Sequence, residues 1–282
     1  MGAIISRFAP APSGFLHLGH VVNALYVWET ANRVLLRIED HDRQRSHRAF
    51  EAAIFEDLDW LGFIPDEPAV RQSDRGDIYL QALERLRRQG LVYACSCSRA
   101  DIERASQKAG IQANRPADNE PRYPGTCRDR GLADAPGLGL RVRLEPSVER
   151  FVDVRLGARE QRPSEQCGDL LIRDREGNWT YQFAATVDDY AQGVTHVIRG
   201  VDLLESTGRQ LQLARLLGRP EPPQFLHHPL IMKSTGQKLS KSDSDTGVRH
   251  LRARGWTAAR VIAHATEFKK RQEETGSRTE TE

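Results

Sequence analysis

The stretch VLLRIE, residues 34–39, constrains this chain most: its apolar residues are consecutive rather than alternating, which reads as a strand buried on both faces. It follows a helix-like segment over residues 19–32, and AIISRFAP before that reads as a first strand leading into a proline- and glycine-stiffened turn. Strand, helix and buried strand in this order make a β-α-β unit, because parallel strands need a crossover of this length.

The rhythm continues downstream. HRAFEAAIFEDLDWLG sets Phe50, Ala53, Ile54, Leu58 and Leu61 at helical spacing and stops at Gly62. SDRGDIYLQALERLRRQG starts on Ser73 or Asp74 and stops at Gly90, and LVYAC reads as another strand. DLLIRD, the turn REGN, WTYQFAATVDDY and the strand at 194–200 resume α/β order, and DLLESTGRQLQLARLLG is expected to be a helix opened by Asp202 with Glu205 as a capping box.

Between them, IQANRPADNEPRYPGTC and LADAPGLG are loop-like, while LRVRL and FVDVRLG alternate as antiparallel strands do. The expected fold is therefore α/β: a Rossmann-like doubly wound parallel sheet, with an inserted antiparallel, zinc-containing subdomain and a short C-terminal helical segment. The segments are 1–94 and 166–245 for the catalytic halves, 95–165 for the insertion and 246–282 for the C-terminal part. KKRQEETGSRTETE has no apolar residue and is expected to be disordered.

Composition narrows the classes. With 39% hydrophobic and 28% charged residues, and no run approaching a membrane span, an ordinary cytoplasmic globular protein is expected. MGAIIS fits a myristoylation pattern, but AIIS is better used as strand. A net charge of +2 neither demands nor excludes a nucleic-acid partner. Only six of the 41 basic residues are lysines, and Lys233, Lys238 and Lys241 share the stretch KSTGQKLSKS. An arginine-biased genome explains the scarcity but not the cluster.

Two segments carry chemistry. PAPSGFLHLGH delivers His17, Gly19 and His20 to a helix start, where backbone N–H groups and the helix dipole favour phosphate, glycine permits close approach, and each imidazole can donate to phosphate oxygens. A histidine-bearing cap with both rings satisfied explains the same residues. KLSKS, with Lys238, Ser240 and Lys241, sits in a small-residue loop able to bring ammonium groups onto a polyphosphate, or is a solvated basic loop. The chain has neither a P-loop nor a dinucleotide fingerprint, so ATP held by paired HLGH and KLSKS elements is the stronger account of both.

HLGH and KLSKS resemble the HIGH and KMSKS signatures of the class I aminoacyl-tRNA synthetases, and RFAPAPSGFLHLGH, LLRIEDHD, QGVTHVIRGVDLL and HHPLIMKSTGQKLSKSD resemble the glutamyl branch, over roughly residues 5–245. About forty residues follow KLSKS, many of them polar, so no anticodon-binding domain is expected there. The chain thus resembles the truncated paralogues that activate L-glutamate with ATP and esterify it to queuosine in the anticodon stem-loop of tRNA(Asp), acting as monomers.

That resemblance implies His17, His20, Lys241 and Lys238 as catalytic residues, Gly19, Ser240 and Lys241 as ATP-binding, and Arg7, Glu39, Tyr181 and Arg199 as glutamate-binding. An arginine can fork onto a carboxylate, and Glu39 can pair with the α-ammonium. For Glu39 and Arg199 an internal ion pair is the other reading. Ala11 stands where relatives carry serine or threonine, removing a side-chain donor. Mg²⁺ is expected on the pyrophosphate.

Cys95 and Cys97, followed thirty residues on by Cys127, make a set that can share zinc, whereas adjacent CxC thiols form disulfides poorly. Three plain thiols are the other possibility. No histidine lies between His47 and His196 to complete the set. The resemblance supplies Tyr123; Asp118 or a water is the alternative. Cys167 is read as a plain thiol. Charging of a tRNA 3′ end, a nucleotidyltransferase, and a catalytically silent RNA-binding paralogue are the rival functions.

Overall fold

A computed structural model describes residues 2–108, 121–230 and 246–278. The chain divides into two compact units, one built from Met1–Ser73, Val194–Val201 and Phe225–Glu282, the other from Asp74–Gly193 and Asp202–Gln224. These bounds differ from the breaks at 94/95 and 165/166 read from the sequence, because helix and strand segments on both sides of the insertion pack with it.

In the first unit β1 (Ile5–Phe8) pairs parallel with β2 (Arg33–Ile38), in register from Ile5 opposite Arg33 to Phe8 opposite Leu36, and β2 pairs parallel with the short β3 (Val70–Arg71). Helix α1 (Leu18–Thr30) is the β1–β2 crossover, and α2 (Arg48–Leu61) ends at Gly62 with φ 80°. Phe8, Val21, Leu25, Leu36, Ile38, Ile54 and Leu58 fill the core between sheet and helices. Each such buried side chain contributes roughly 1.5–3 kcal/mol.

The second unit starts with α3 (Gly76–Arg88), β4 (Val92–Cys95) and α4 (Arg99–Lys108). Then come β5 (Gly139–Val142), the antiparallel hairpin β6 (Glu149–Asp153) and β7 (Gly157–Gln161), α5 (Pro163–Gln166), β8 (Leu170–Arg173), α6 (Tyr181–Ala191) and α7 (Thr207–Leu216). Here LVYAC and DLLIRD do not extend the parallel sheet. They are β4 and β8, and both pair antiparallel with β5. A buried strand shows the same apolar run in either sheet, so only its partner tells them apart.

The first unit is completed by β9 (His196–Gly200), β10 (Gln224–His228) beside it, α8 (Val248–Ala253) and α9 (Ala258–Arg278). Two local expectations are corrected. Residues Val201–Ser206 form a 3-10 turn, and α7 starts only at Thr207, so Asp202 opens no α-helix; Glu205 instead accepts from Gln166 Nε2 at 2.7 Å. The polar C-terminal stretch is helical as far as Arg278, because α1 supplies partners: Tyr26 donates its hydroxyl to Glu273 at 2.9 Å, and Lys269 pairs with Glu29 and sits 4.4 Å from the Tyr26 ring centroid. Among the described residues no helix is long and apolar enough to cross a membrane.

Candidate active site

The turn after β1 ends in a reciprocal cap made by two histidines. His17 is the N-cap of α1; its Nδ1 accepts the Gly19 backbone N–H at 3.0 Å, while His20 Nδ1 accepts the His17 N–H at 3.1 Å. The ring centroids are 4.0 Å apart. Accepting a backbone N–H at Nδ1 requires a lone pair there, so both rings carry their proton on Nε2 as neutral donors. The cap reading and the phosphate reading are therefore compatible: one nitrogen of each ring builds the helix start, and the other is a donor suited to an anion.

Gly19 has a reason the sequence did not supply. A Cβ there would lie 2.7 Å from His17 Cε1 and 2.9 Å from its Nδ1. Glycine is needed so that the imidazole can fold over its own helix turn.

The chain returns to this turn after KLSKS. Gly247 forms an isolated antiparallel bridge with His17, and the Val248 N–H donates to Leu16 O at 2.9 Å. Lys238, Ser240 and Lys241 lie outside the described residues.

Three of the residues expected to bind glutamate stand at strand carboxyl ends of the first unit, the edge where ligands sit on sheets of this kind. Arg7, 4% exposed, is next to last in β1 and donates from Nη1 to Ile198 O in β9 at 3.1 Å. Glu39 follows the last residue of β2, and its N–H donates to Pro10 O at 3.0 Å. Arg199, 3% exposed, is next to last in β9.

The internal ion pair considered for Glu39 exists: the fully buried Arg37 donates from Nη2 to Glu39 Oε1 at 3.2 Å. Two residues apart on one strand, the two side chains share a face of the sheet. Arg199 donates from Nε to His227 Nε2 at 3.0 Å. Tyr181 opens α6 in the second unit. At Ala11 the backbone carbonyl accepts from Ser13 N–H at 2.8 Å.

Within the second unit, Cys95 ends β4, and Cys95, Cys97 and Cys127 present sulfurs that all lie within 4.8 Å of one another. Tyr123 lies beside them. Its hydroxyl lies 3.4 Å from Cys95 Sγ and accepts the Cys127 N–H at 2.7 Å, and Cys97 and Cys127 sulfurs are 3.6 Å apart. The turn is held by a close backbone approach: Tyr123 N–H donates to Cys167 O at 2.9 Å, and a Cβ on Gly168 would lie 2.0 Å from Tyr123 O.

This donor set fits a zinc-like ion, since three thiolates and an oxygen can close around it tetrahedrally. Burial, then the hydrogen bond to Cys127, push Cys97 up to about 12. Burial opposes ionisation of Cys127 too, but hydrogen bonds from the Ser96 backbone and hydroxyl, Cys97 and Tyr123 outweigh it and bring that thiol down to about 6. Burial, then the contact with Cys95, move the Tyr123 phenol upward.

Two arginines stand beside the group. Arg141, on β5, places its guanidinium carbon 3.7 Å from the Tyr123 ring centroid, and Arg130 Nη1 lies 3.9 Å from Cys127 Sγ. A cavity of about 440 Å³ has Cys95, Cys97 and Arg141 in its wall, giving the group a path to solution.

Sequence reasoning missed Arg37, His227, Arg130 and Arg141. Arg37 had a signal, since a charge inside VLLRIE must find a buried partner, and Glu39 is the same-face neighbour. His227, Arg130 and Arg141 gave none, because their partners are distant in sequence or in another strand.

Residues 3–268 match the family model described as tRNA synthetases class I (E and Q), catalytic domain. Glutamyl-Q tRNA(Asp) synthetase of Rhodobacter capsulatus is 41% identical over 280 residues, spanning 92% of this chain and 98% of that protein. The protein of the same name from Pseudomonas fluorescens is 45% identical over 242 residues, 84% of this chain and 76% of its own length. Among solved structures, a glutamate tRNA ligase from Elizabethkingia meningosepticum in complex with its amino acid matches with a TM-score of 0.71 at 30% identity, over 86% of this chain and 53% of that one. A glutamate-tRNA synthetase from Elizabethkingia anophelis gives 0.70 at 29%, over 90% and 54%. The chain spans about half the length of these two solved proteins. Its parallel β-α-β unit, its histidine-capped helix and these matches together establish that it belongs to the catalytic-domain family of class I tRNA synthetases of the E and Q type.

Proposed function

We propose that the protein activates glutamate with ATP and transfers it to queuosine at the wobble position of tRNA(Asp), the activity carried in the name of its curated relatives. The observation that supports this most is the bridge between Gly247 and His17, which returns the chain following KLSKS to the HLGH turn, six residues after Lys241. Cationic and imidazole groups from both segments then serve one triphosphate.

In the first step a glutamate α-carboxylate oxygen forms a bond to the α-phosphorus, the bond to the β-phosphoryl oxygen breaks, and pyrophosphate leaves. No general base is needed, since the nucleophile is already an anion. His17 and His20 donate Nε2–H to phosphate oxygens at a helix N-terminus, Gly19 keeps the turn tight, and Lys238, Ser240 and Lys241 neutralise charge on the leaving pyrophosphate together with Mg²⁺. Arg7 and Arg199 take the side-chain carboxylate, Glu39 takes the α-ammonium, and Tyr181 supplies a hydroxyl. In the second step a ring hydroxyl of queuosine attacks the acyl carbon, AMP leaves with its phosphate oxygen, and the hydroxyl proton passes to that phosphate.

Cys95, Cys97, Tyr123 and Cys127 hold one structural zinc that pins the antiparallel part of the chain, and the protein works as a cytoplasmic monomer on the anticodon stem-loop. Glutamate-dependent exchange of pyrophosphate into ATP, measured with and without tRNA, tests the activation step: exchange with glutamate is expected, and its absence under both conditions contradicts the reading.

A further inference from the structure

Phe15 is the one phenylalanine of PAPSGFLHLGH, two positions before His17, and it does not enter the core: it is 45% exposed, while the neighbouring Leu16 and Leu18 are 2% and 3%. Its ring is held in place nonetheless. The Phe50 ring meets it edge-on, with centroids 4.9 Å apart and planes at 89°, and His47 meets Phe50 in turn at 5.6 Å. The Arg249 guanidinium carbon lies 5.4 Å from the Phe15 centroid, and the same guanidinium pairs with Glu56. The His47 N–H donates to Pro12 O at 2.9 Å, which fastens the start of α2 to the turn that carries Phe15. Next to His47, Arg48 is exposed.

An open phenyl ring gains free energy when something apolar covers it, and a ring already fixed by its neighbours loses little rotamer freedom on being covered. One open ring among cations is the mixture that single-stranded RNA takes, since every base has a face that stacks on an aromatic and every nucleotide brings a phosphate for an arginine. A lipid surface calls for a wider apolar patch. We infer that Phe15 is a stacking platform for a nucleotide adjoining the queuosine, with Arg48 serving the phosphate beside it. This deepens the proposed function and rests on the anticodon loop being the acceptor.

The consequence is for the RNA and not for ATP. To be esterified, the queuosine has to leave the stack of the anticodon loop, and that unstacking costs free energy. A neighbouring base that settles on Phe15 offsets the cost. Leucine in this place keeps an apolar contact with Phe50 but has no aromatic face, whereas tyrosine keeps both.

The test uses the full chain and a synthetic hairpin with the sequence of the tRNA(Asp) anticodon arm, containing queuosine, together with two versions in which the base on its 5′ or its 3′ side is replaced by an abasic ribose. Binding by fluorescence anisotropy is compared for wild type, Phe15→Tyr, Phe15→Leu and Arg48→Gln. Tyrosine should keep Kd within about threefold of wild type, and leucine should raise it about tenfold. One of the abasic hairpins should lose about tenfold on wild type and nothing further on Phe15→Leu, the coupling expected when both changes delete one contact. Arg48→Gln should lower the slope of log Kd against log salt by about 0.7; an unchanged slope overturns its part. Equal affinities of the Tyr and Leu variants, or an abasic loss that simply adds to the leucine loss, overturn the platform. Transfer of labelled glutamate is divided by pyrophosphate exchange of the same preparation. If Phe15→Leu lowers both in the same proportion with binding unmoved, the ring only props the HLGH turn and the inference fails. A wild type that exchanges pyrophosphate but does not bind the hairpin overturns the acceptor reading itself, and one that binds the hairpin without exchange overturns the activation step while the stacking result still stands.

Discussion

His17 is bridged to Gly247 through its backbone while its imidazole caps α1 through Nδ1. One residue thus ties the start of the helix to the chain that follows KLSKS, and its remaining ring proton is on Nε2. These two roles can be separated by mutation.

His17→Asn keeps a short side-chain acceptor for the Gly19 N–H but removes the Nε2 donor. Exchange activity is expected to fall by about 10²–10³, the scale for losing one donor to transition-state charge, with the melting temperature near that of wild type. His17→Ala should show the same loss and in addition cost roughly 1 kcal/mol of stability for the missing cap. Denaturant titration alongside the kinetics separates the two effects.

Gly19→Ala sets a methyl 2.7 Å from His17 Cε1. The helix tolerates alanine, so the fold should persist while the ring is driven out of its position. Exchange is expected to fall at least tenfold; unchanged kinetics would mean the His17 ring has no part in binding.

The cysteine cluster predicts one zinc per chain. Cys127→Ser should abolish stoichiometric zinc in the purified protein. Arg141→Met, which removes the cation 3.7 Å from the Tyr123 ring, should weaken zinc about 10–100-fold in competition with a chromophoric chelator, the usual scale for a partner one layer out from the metal. Metal content by mass spectrometry checks both.

Asp57 predicts a pH signature. Burial, opposed by Arg249 with an Nε 3.8 Å from its carboxylate, raises its pKa from 3.8 to about 6. The folded state therefore holds this proton more tightly than the unfolded chain. Stability is largest below pH 3.8 as far as this group is concerned, declines as pH rises through about 6, and stays lowered above. The loss is up to about 3 kcal/mol. Asp57→Asn should flatten that slope and raise stability at pH 7–8, read by urea unfolding from about pH 4 to pH 8.

Much of the site was legible because it is local. HLGH lies within one turn of helix, CSC and YPGTC are each contiguous, and the β-α-β order is written in the change from consecutive apolar residues to helical spacing. What depends on distant pairing was not legible. LVYAC and DLLIRD have the same apolar tape as a parallel strand, and only their shared partner β5 makes them antiparallel. The polar run after Phe268 has no apolar residue of its own, yet Lys269 and Glu273 find Glu29 and Tyr26 on α1. His227 is one histidine among nine until β10 brings it to Arg199.

The proposed reaction fixes the acceptor as well as the amino acid, and one measurement addresses both. Labelled glutamate and ATP are supplied with tRNA pools from cells that make queuosine and from cells that lack it. Label is predicted on tRNA(Asp) from the first pool alone, lost on removal of the queuosine base and retained when the 3′-terminal adenosine is removed enzymatically. Equal labelling of the two pools, or label confined to the 3′ end, would contradict transfer to queuosine.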